Sequence, residues 1–125
     1  MSNISLSDGE WNLMNLLWDK SPRTIGEMVA ALSSVKGWSK ATVNIMLGRL
    51  AEKGAVLVET GGRAKLFFPA IKREEAVIDE AKSTLSRIKA GGIGLLVSTM
   101  AKESKLTDEE IDELYRILKE AKNDA

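Results

Sequence analysis

The sequence predicts a mainly α-helical fold with one small β-hairpin. Three observations predict it. Ser/Thr-x-x-Glu capping boxes recur, each opening a run of apolar residues at helical spacing. Two β-prone runs flank a Thr-Gly-Gly-Arg turn. Beyond the hairpin, apolar residues return at helical spacing to the end of the chain.

The elements follow in order. Ser7-Asp8-Gly9-Glu10 is a capping box, with Leu6 and Trp11 at the staple positions. Trp11, Met14, Leu17 and Trp18 carry helix 1 to about Asp19, and Ser21-Pro22 breaks it. Thr24-Ile25-Gly26-Glu27 opens a short second helix with Met28, Ala31 and Leu32 inward, ended by Lys36-Gly37. Ser39 caps a third helix, with Trp38 placed to staple onto Val43. Val43, Met46, Leu47 and Leu50 form its apolar stripe, and Gly54 terminates it. The runs Ala55–Glu59 and Ala64–Phe68 form the hairpin, closed by Pro69.

Three helices and a hairpin with Arg63 at its tip make a winged helix-turn-helix pattern, predicted for residues 1–70. A small α+β domain with no nucleic-acid role is the plainer reading of the same pattern. If the third helix buries Val43, Met46, Leu47 and Leu50, then Ala41, Ile45, Gly48 and Glu52 face outward. Thr42, Asn44 and Arg49 flank that face. Asn44 suits an adenine edge, and Ala41 or Ile45 a thymine methyl. Arg49 and Lys40 suit phosphate, as do Arg63 and Lys65 in the wing, and Ser39 and Lys40 stand at the helix entry.

The 125 residues suffice for one domain, or a small domain with an extension. There is no His and no Cys. That excludes Ser-His-Asp and Cys-His catalysis, disulfides, and imidazole or thiolate metal sites. No cofactor or metal is expected. Acidic pairs such as Glu109-Glu110 and Asp112-Glu113 read as a solvated helix face, so an enzyme is the least favoured class. The opening residues lack a secretory signal pattern. The uncharged stretch Ala90 to Ala101 is too short to span a bilayer. A cytoplasmic protein without membrane insertion is expected.

Lys and Arg total 18 and Asp and Glu total 18, but their distribution is uneven. Thr24 to Pro69 holds six cations against three anions, a net of +3. Ala101 to Ala125 holds five against eight, a net of −3. A modestly basic head thus precedes an acidic tail. Ordinary variation in surface charge accounts for this difference equally well.

In the second half, Ile71, Ile78, Ala81, Leu85 and Ile88 form a seam suited to another helix. Gly91-Gly92 interrupts the chain. Ile93, Leu95, Leu96, Val97 and Met100 then make a helix apolar nearly all round, a pattern expected of a buried helix. Thr107-Asp108-Glu109-Glu110 is another capping box, with Leu106 and Ile111 at the staple positions, and Ile111, Leu114, Tyr115, Leu118 and Ala121 line the last helix. So short a segment cannot easily cover such a helix alone, whereas two copies can. Residues 71–125 are therefore read as a helical dimerisation region, carried by Ile78, Leu85, Ile93, Leu96, Met100, Ile111, Leu114 and Leu118. Packing of this region back onto the head is the alternative. Two heads on one dimer match two half-sites of a palindrome.

The residues also resemble a known family, the BlaI/MecI-type penicillinase repressors with their copper-responsive CopY branch. The resemblance is carried by Leu6-Ser7-Asp8-Gly9-Glu10-Trp11 with Met14 and Leu17-Trp18, by Gly37-Trp38-Ser39 with Thr42-Val43, and by Leu47 through Gly54. Phe67-Phe68, Gly91-Gly92 and Leu106 through Leu114 extend it over nearly the whole chain. It implies a cytoplasmic homodimeric repressor that binds a palindromic operator in double-stranded DNA and controls β-lactamase or penicillin-resistance genes. It also implies a membrane metalloprotease sensor as partner. The family's cleaved bond is typically Asn–Phe, and counting from Gly91-Gly92 places it at Thr99–Met100. The copper branch's cysteine hook is absent. Two other function classes stay open: a winged-helix module that binds protein through outward Ala41, Ile45 and Gly48, and a regulator of unrelated genes released by a small ligand.

Overall fold

A computed structural model describes residues 4–88, 91–104 and 106–124. Their elements are α1 (Asp8–Asp19), α2 (Ile25–Leu32), α3 (Lys40–Lys53), β1 (Val56–Glu59), β2 (Leu66–Pro69), α4 (Arg73–Arg87), α5 (Gly92–Glu103) and α6 (Asp108–Asp124). This is the mainly α fold with a hairpin that the sequence predicts. The chain divides into two units, Met1–Ser83 and Thr84–Ala125.

In the first unit, local chemistry sets each helix start. The Ser7 hydroxyl accepts from the Glu10 N–H at 3.2 Å while the Ser7 N–H donates to Glu10 Oε1 at 2.8 Å. Thr24 and Glu27 repeat the exchange at 3.1 and 2.8 Å. Helix α2 ends at Leu32, earlier than its sequence boundary. The Lys36 and Gly37 amides both return to the Leu32 carbonyl, and Gly37 takes φ +63°. Gly54, at φ +81°, ends α3 in the left-handed region that favours glycine.

The core joins Leu13, Met14 and Leu17 of α1 to Met28 and Leu32 of α2 and to Val43, Leu47 and Leu50 of α3. Val56 and Phe67 close it from the hairpin. Ala31, expected inward, is exposed, and Val29 is half-buried in its place. Strands β1 and β2 are antiparallel, with Val56 opposite Pro69 and Val58 opposite Phe67. Pro69 lacks an amide hydrogen, which suits it to the end of a strand. The Phe67 amide and carbonyl also exchange hydrogen bonds with Arg23, at 2.9 and 3.2 Å. Arg23 therefore extends the hairpin by a single-residue bridge. Its Nε donates to two carbonyls at the end of α1, that of Lys20 and that of Leu16, which also accepts from the Lys20 N–H.

Ile71 corrects the seam expected for the second half. It packs against the head core, and its carbonyl accepts from Trp18 Nε1 at 2.9 Å. Ala76 of α4 is also buried in that core. These two ties explain why the first unit runs past the boundary expected after Ala70. Ala81 and Leu85 are exposed along α4.

The second unit holds α5 and α6. Thr107 and Glu110 form the predicted capping box at the start of α6, at 3.0 and 3.1 Å. Helix α5, expected to be buried, has no buried residue in the single chain, and neither has α6. Leu95 is 71% exposed and Tyr115 72%. Ile93, Met100, Ile111 and Leu118 are exposed, while Leu96 and Leu114 are half-buried. Within this unit, α5 and α6 do not cover each other's apolar faces. Among the described residues, no helix is long and apolar enough to cross a membrane.

Candidate nucleic-acid interface

Helix α3 presents the candidate surface, and its neighbours fix its pose. The Ser39 hydroxyl accepts from the Thr42 N–H at 3.2 Å and donates to Thr42 Oγ1 at 3.1 Å. Val43, Leu47 and Leu50 are buried on one side, with Met46 half-buried. Helix α1 approaches α3 at Gly9, where a Cβ would collide with Met46 Cε and come within 3.3 Å of Trp38 Cη2. Trp38, predicted to staple onto Val43, is half-buried against the core.

The opposite side of α3 is open. Ala41, Thr42, Asn44, Ile45, Gly48, Arg49 and Glu52 are all exposed, Ile45 at 58%. The predicted face is therefore the one the helix presents. Ser39 and Lys40 are exposed where α3 begins.

The structure brings three predicted cations together. Lys40 at the start of α3 and Arg63 and Lys65 of the wing line one cavity of about 390 Å³. Thr24, Ile25 and Gly26, at the start of α2, line it too. The start of a helix carries partial positive charge and unpaired amides. Among the described residues, no acidic side chain lines the cavity. Glu27, one turn into α2, has its carboxylate engaged by the Thr24 N–H. That backbone bond, followed by the bond with the Thr24 hydroxyl, lowers the Glu27 pKa. Such a seat accommodates a phosphodiester, whose charge and acceptors match it. Arg49 does not line this cavity and lies farther along α3.

Sequence reasoning missed where one cation goes. Lys53, counted in the basic head, forms an ion pair with Glu10 and donates to the Ser5 carbonyl at 2.8 Å. Glu10 is 2% exposed. Lys53 is therefore neutralised inside the head. The capping box flagged Glu10, but nothing local flags a partner 43 residues away.

The second unit contains a groove of about 320 Å³ between α5 and α6, lined by Val97, Met100, Leu106, Leu114 and Ile117 with Ser104, Glu110 and Glu113 at its edges. Thr99 and Met100, the predicted proteolysis position, are exposed within α5. The Thr99 hydroxyl donates to the Leu95 carbonyl at 2.8 Å.

Three helices, a hairpin wing, an outward third helix and a cationic seat beside it define a winged-helix protein of the nucleic-acid-binding kind. Comparison with known proteins makes the class specific. The penicillinase repressor family model matches residues 6–120, and the chain belongs to that family. The family is one of transcriptional repressors rather than enzymes. The chain is 34% identical over 118 residues to the penicillinase repressor of Bacillus licheniformis, covering 94% of this chain and 92% of that protein. The solution structure of the DNA-binding domain of the repressor BlaI superposes with a TM-score of 0.53 at 33% identity, covering 60% of this chain and 93% of that one. The Bacillus licheniformis BlaI monomer in complex with the blaP half-operator superposes at 0.52 and 31% identity, covering 59% of this chain and 90% of that one.

Proposed function

We propose that the protein is a homodimeric repressor that binds a palindromic operator and controls resistance genes in the cytoplasm. The observation that carries this reading is the cationic seat formed by Lys40, Arg63, Lys65 and the start of α2, set beside the exposed face of α3. Helix α3 enters the major groove with Thr42, Asn44 and Ile45 toward base edges, Ala41 beside them and Ser39 at its entry. Arg49 grips phosphate along α3, and the wing cations grip it beyond the groove. The likeness to a repressor solved with its half-operator supports the same pose.

Residues 71–125 supply dimerisation in this proposal. Ile78, Leu85, Ile93, Met100, Ile111 and Leu118 are exposed in the single chain, with Leu96 and Leu114 half-buried, and a second copy covers them. Two linked heads gain avidity for two half-sites, which is lost when the dimer separates. A metalloprotease sensor would act at Thr99–Met100. Cleavage there requires α5 to unwind locally, because the bond lies inside the helix.

The test is a shift assay of the full chain on DNA upstream of its own gene, repeated at several salt concentrations. Salt-dependent binding with sequence preference is expected. Lys40→Ala, Arg63→Ala and Lys65→Ala each reduce the slope of log K against log salt by about 0.9 per half-site, or about 1.8 for the dimer on its palindrome. Lys53→Met leaves that slope unchanged, because Glu10 already neutralises Lys53. Binding with no salt dependence and no preference refutes the proposal.

A further inference from the structure

We infer that α3 reads A·T pairs through a bare apolar strip, with Ile45 packing on thymine methyl groups and Gly48 providing the clearance that lets the helix seat closely; this rests on the DNA-binding reading above and deepens it. Ala41, Ile45 and Gly48 follow at spacings of four and three, so they share one side of α3. The buried residues Val43, Leu47 and Leu50 occupy the other side. The strip carries no side-chain donor or acceptor. A major groove offers polar base edges and one apolar group, the C5-methyl of thymine. An apolar strip matches that group and leaves a polar edge without a partner.

A single exposed isoleucine is ordinary on a protein surface. Gly48 is the second, independent observation. Glycine inside a helix is disfavoured relative to alanine. Among the described residues, nothing requires it at this position. The backbone there is ordinary helix, and a Cβ built on Gly48 meets no heavy atom within 4 Å. The clearance therefore faces outward, on the same side as Ile45. Asn44 flanks the strip, exposed and suited to the N6 and N7 edge of adenine. Adenine is the partner of thymine, so the amide and the apolar strip recognise the same pair from its two bases.

The experiment starts from full-length protein and a randomised duplex pool. The enriched duplex is prepared twice, once with thymidine and once with deoxyuridine, which lacks only the methyl group. Loss of one buried methyl weakens binding about fourfold, and loss at two half-sites about 15-fold. Ile45→Ala is expected to bind both duplexes equally. Gly48→Ala is expected to raise the melting temperature of the free protein while weakening binding to the thymidine duplex. Equal wild-type affinity for the two duplexes, or discrimination that survives in Ile45→Ala, overturns this inference and leaves the repressor reading intact. Gly48→Ala binding as tightly as wild type overturns the clearance role. If no duplex is enriched, the repressor reading falls and this inference with it.

Discussion

Replacing Lys53 by methionine probes the ion pair that joins the start of α1 to the end of α3. The Glu10 carboxylate is 3% exposed and accepts from both the Ser7 N–H and the Lys53 ammonium. Burial by itself raises the Glu10 pKa. The Lys53 hydrogen bond, the Ser7 amide, the Lys53 charge and the Ser7 hydroxyl together outweigh burial, and the pKa lies below the ordinary 4.5. Removing one partner of a fully buried pair costs about 3–5 kcal/mol. The Lys53 side chain is 37% exposed, so water reaches part of the vacated site, and methionine keeps the aliphatic stem. The expected cost of Lys53→Met is therefore about 2 kcal/mol, a fall in melting temperature on the order of 8 °C. Glu10→Gln keeps an acceptor for the Ser7 amide and is expected to cost about 1 kcal/mol.

The pH dependence has a definite sign. A carboxylate whose folded pKa is lowered contributes stability that is present above its unfolded value, near 4.5, and lost as pH falls through the folded value. Without Lys53, burial dominates and the Glu10 pKa rises above its unfolded value, so protonating Glu10 relieves a buried charge and the acid loss that Glu10 contributes in wild type disappears or reverses in Lys53→Met. Urea and thermal unfolding of both single variants and the double variant, at fixed protein concentration from pH 3 to pH 7, measures these effects. A coupling of about 1 kcal/mol or more is expected. Single effects that simply add, with the same acid limb in all variants, refute the pairing.

Two further perturbations test the local fold and the assembly. Gly54→Ala forces a side chain into φ +81°, although nothing lies within 4 Å to collide with it, so the cost is backbone strain of about 1–2 kcal/mol. It should appear as a lower urea midpoint with unchanged slope. Leu118→Glu alters a side chain that is 56% exposed in the single chain and should leave the head fold intact, while sedimentation velocity shows a dimer becoming a monomer. A monomeric wild type at tens of micromolar, or a dimeric variant, refutes the assembly.

The sequence by itself determined the capped helix starts and the presence of the hairpin, although it carried α2 on to Lys36-Gly37 where the helix ends at Leu32. Ser7 with Glu10, Thr24 with Glu27, and Thr107 with Glu110 act across one helical turn, and Gly37 and Gly54 act through their own backbone angles, so neighbouring residues suffice to read them. The outward face of α3 was legible for the same reason, because helical periodicity opposes Ile45 to Leu47 and Leu50. Only the tertiary structure decided which charges are available. It paired Lys53 with Glu10, turned Arg23 onto the carboxyl end of α1, and gathered Lys40, Arg63 and Lys65 at one cavity. It also moved Ile71 into the head, where Trp18 holds its carbonyl across 53 residues of sequence. These contacts depend on the path of the backbone through the whole core, and no local pattern of residues encodes that path.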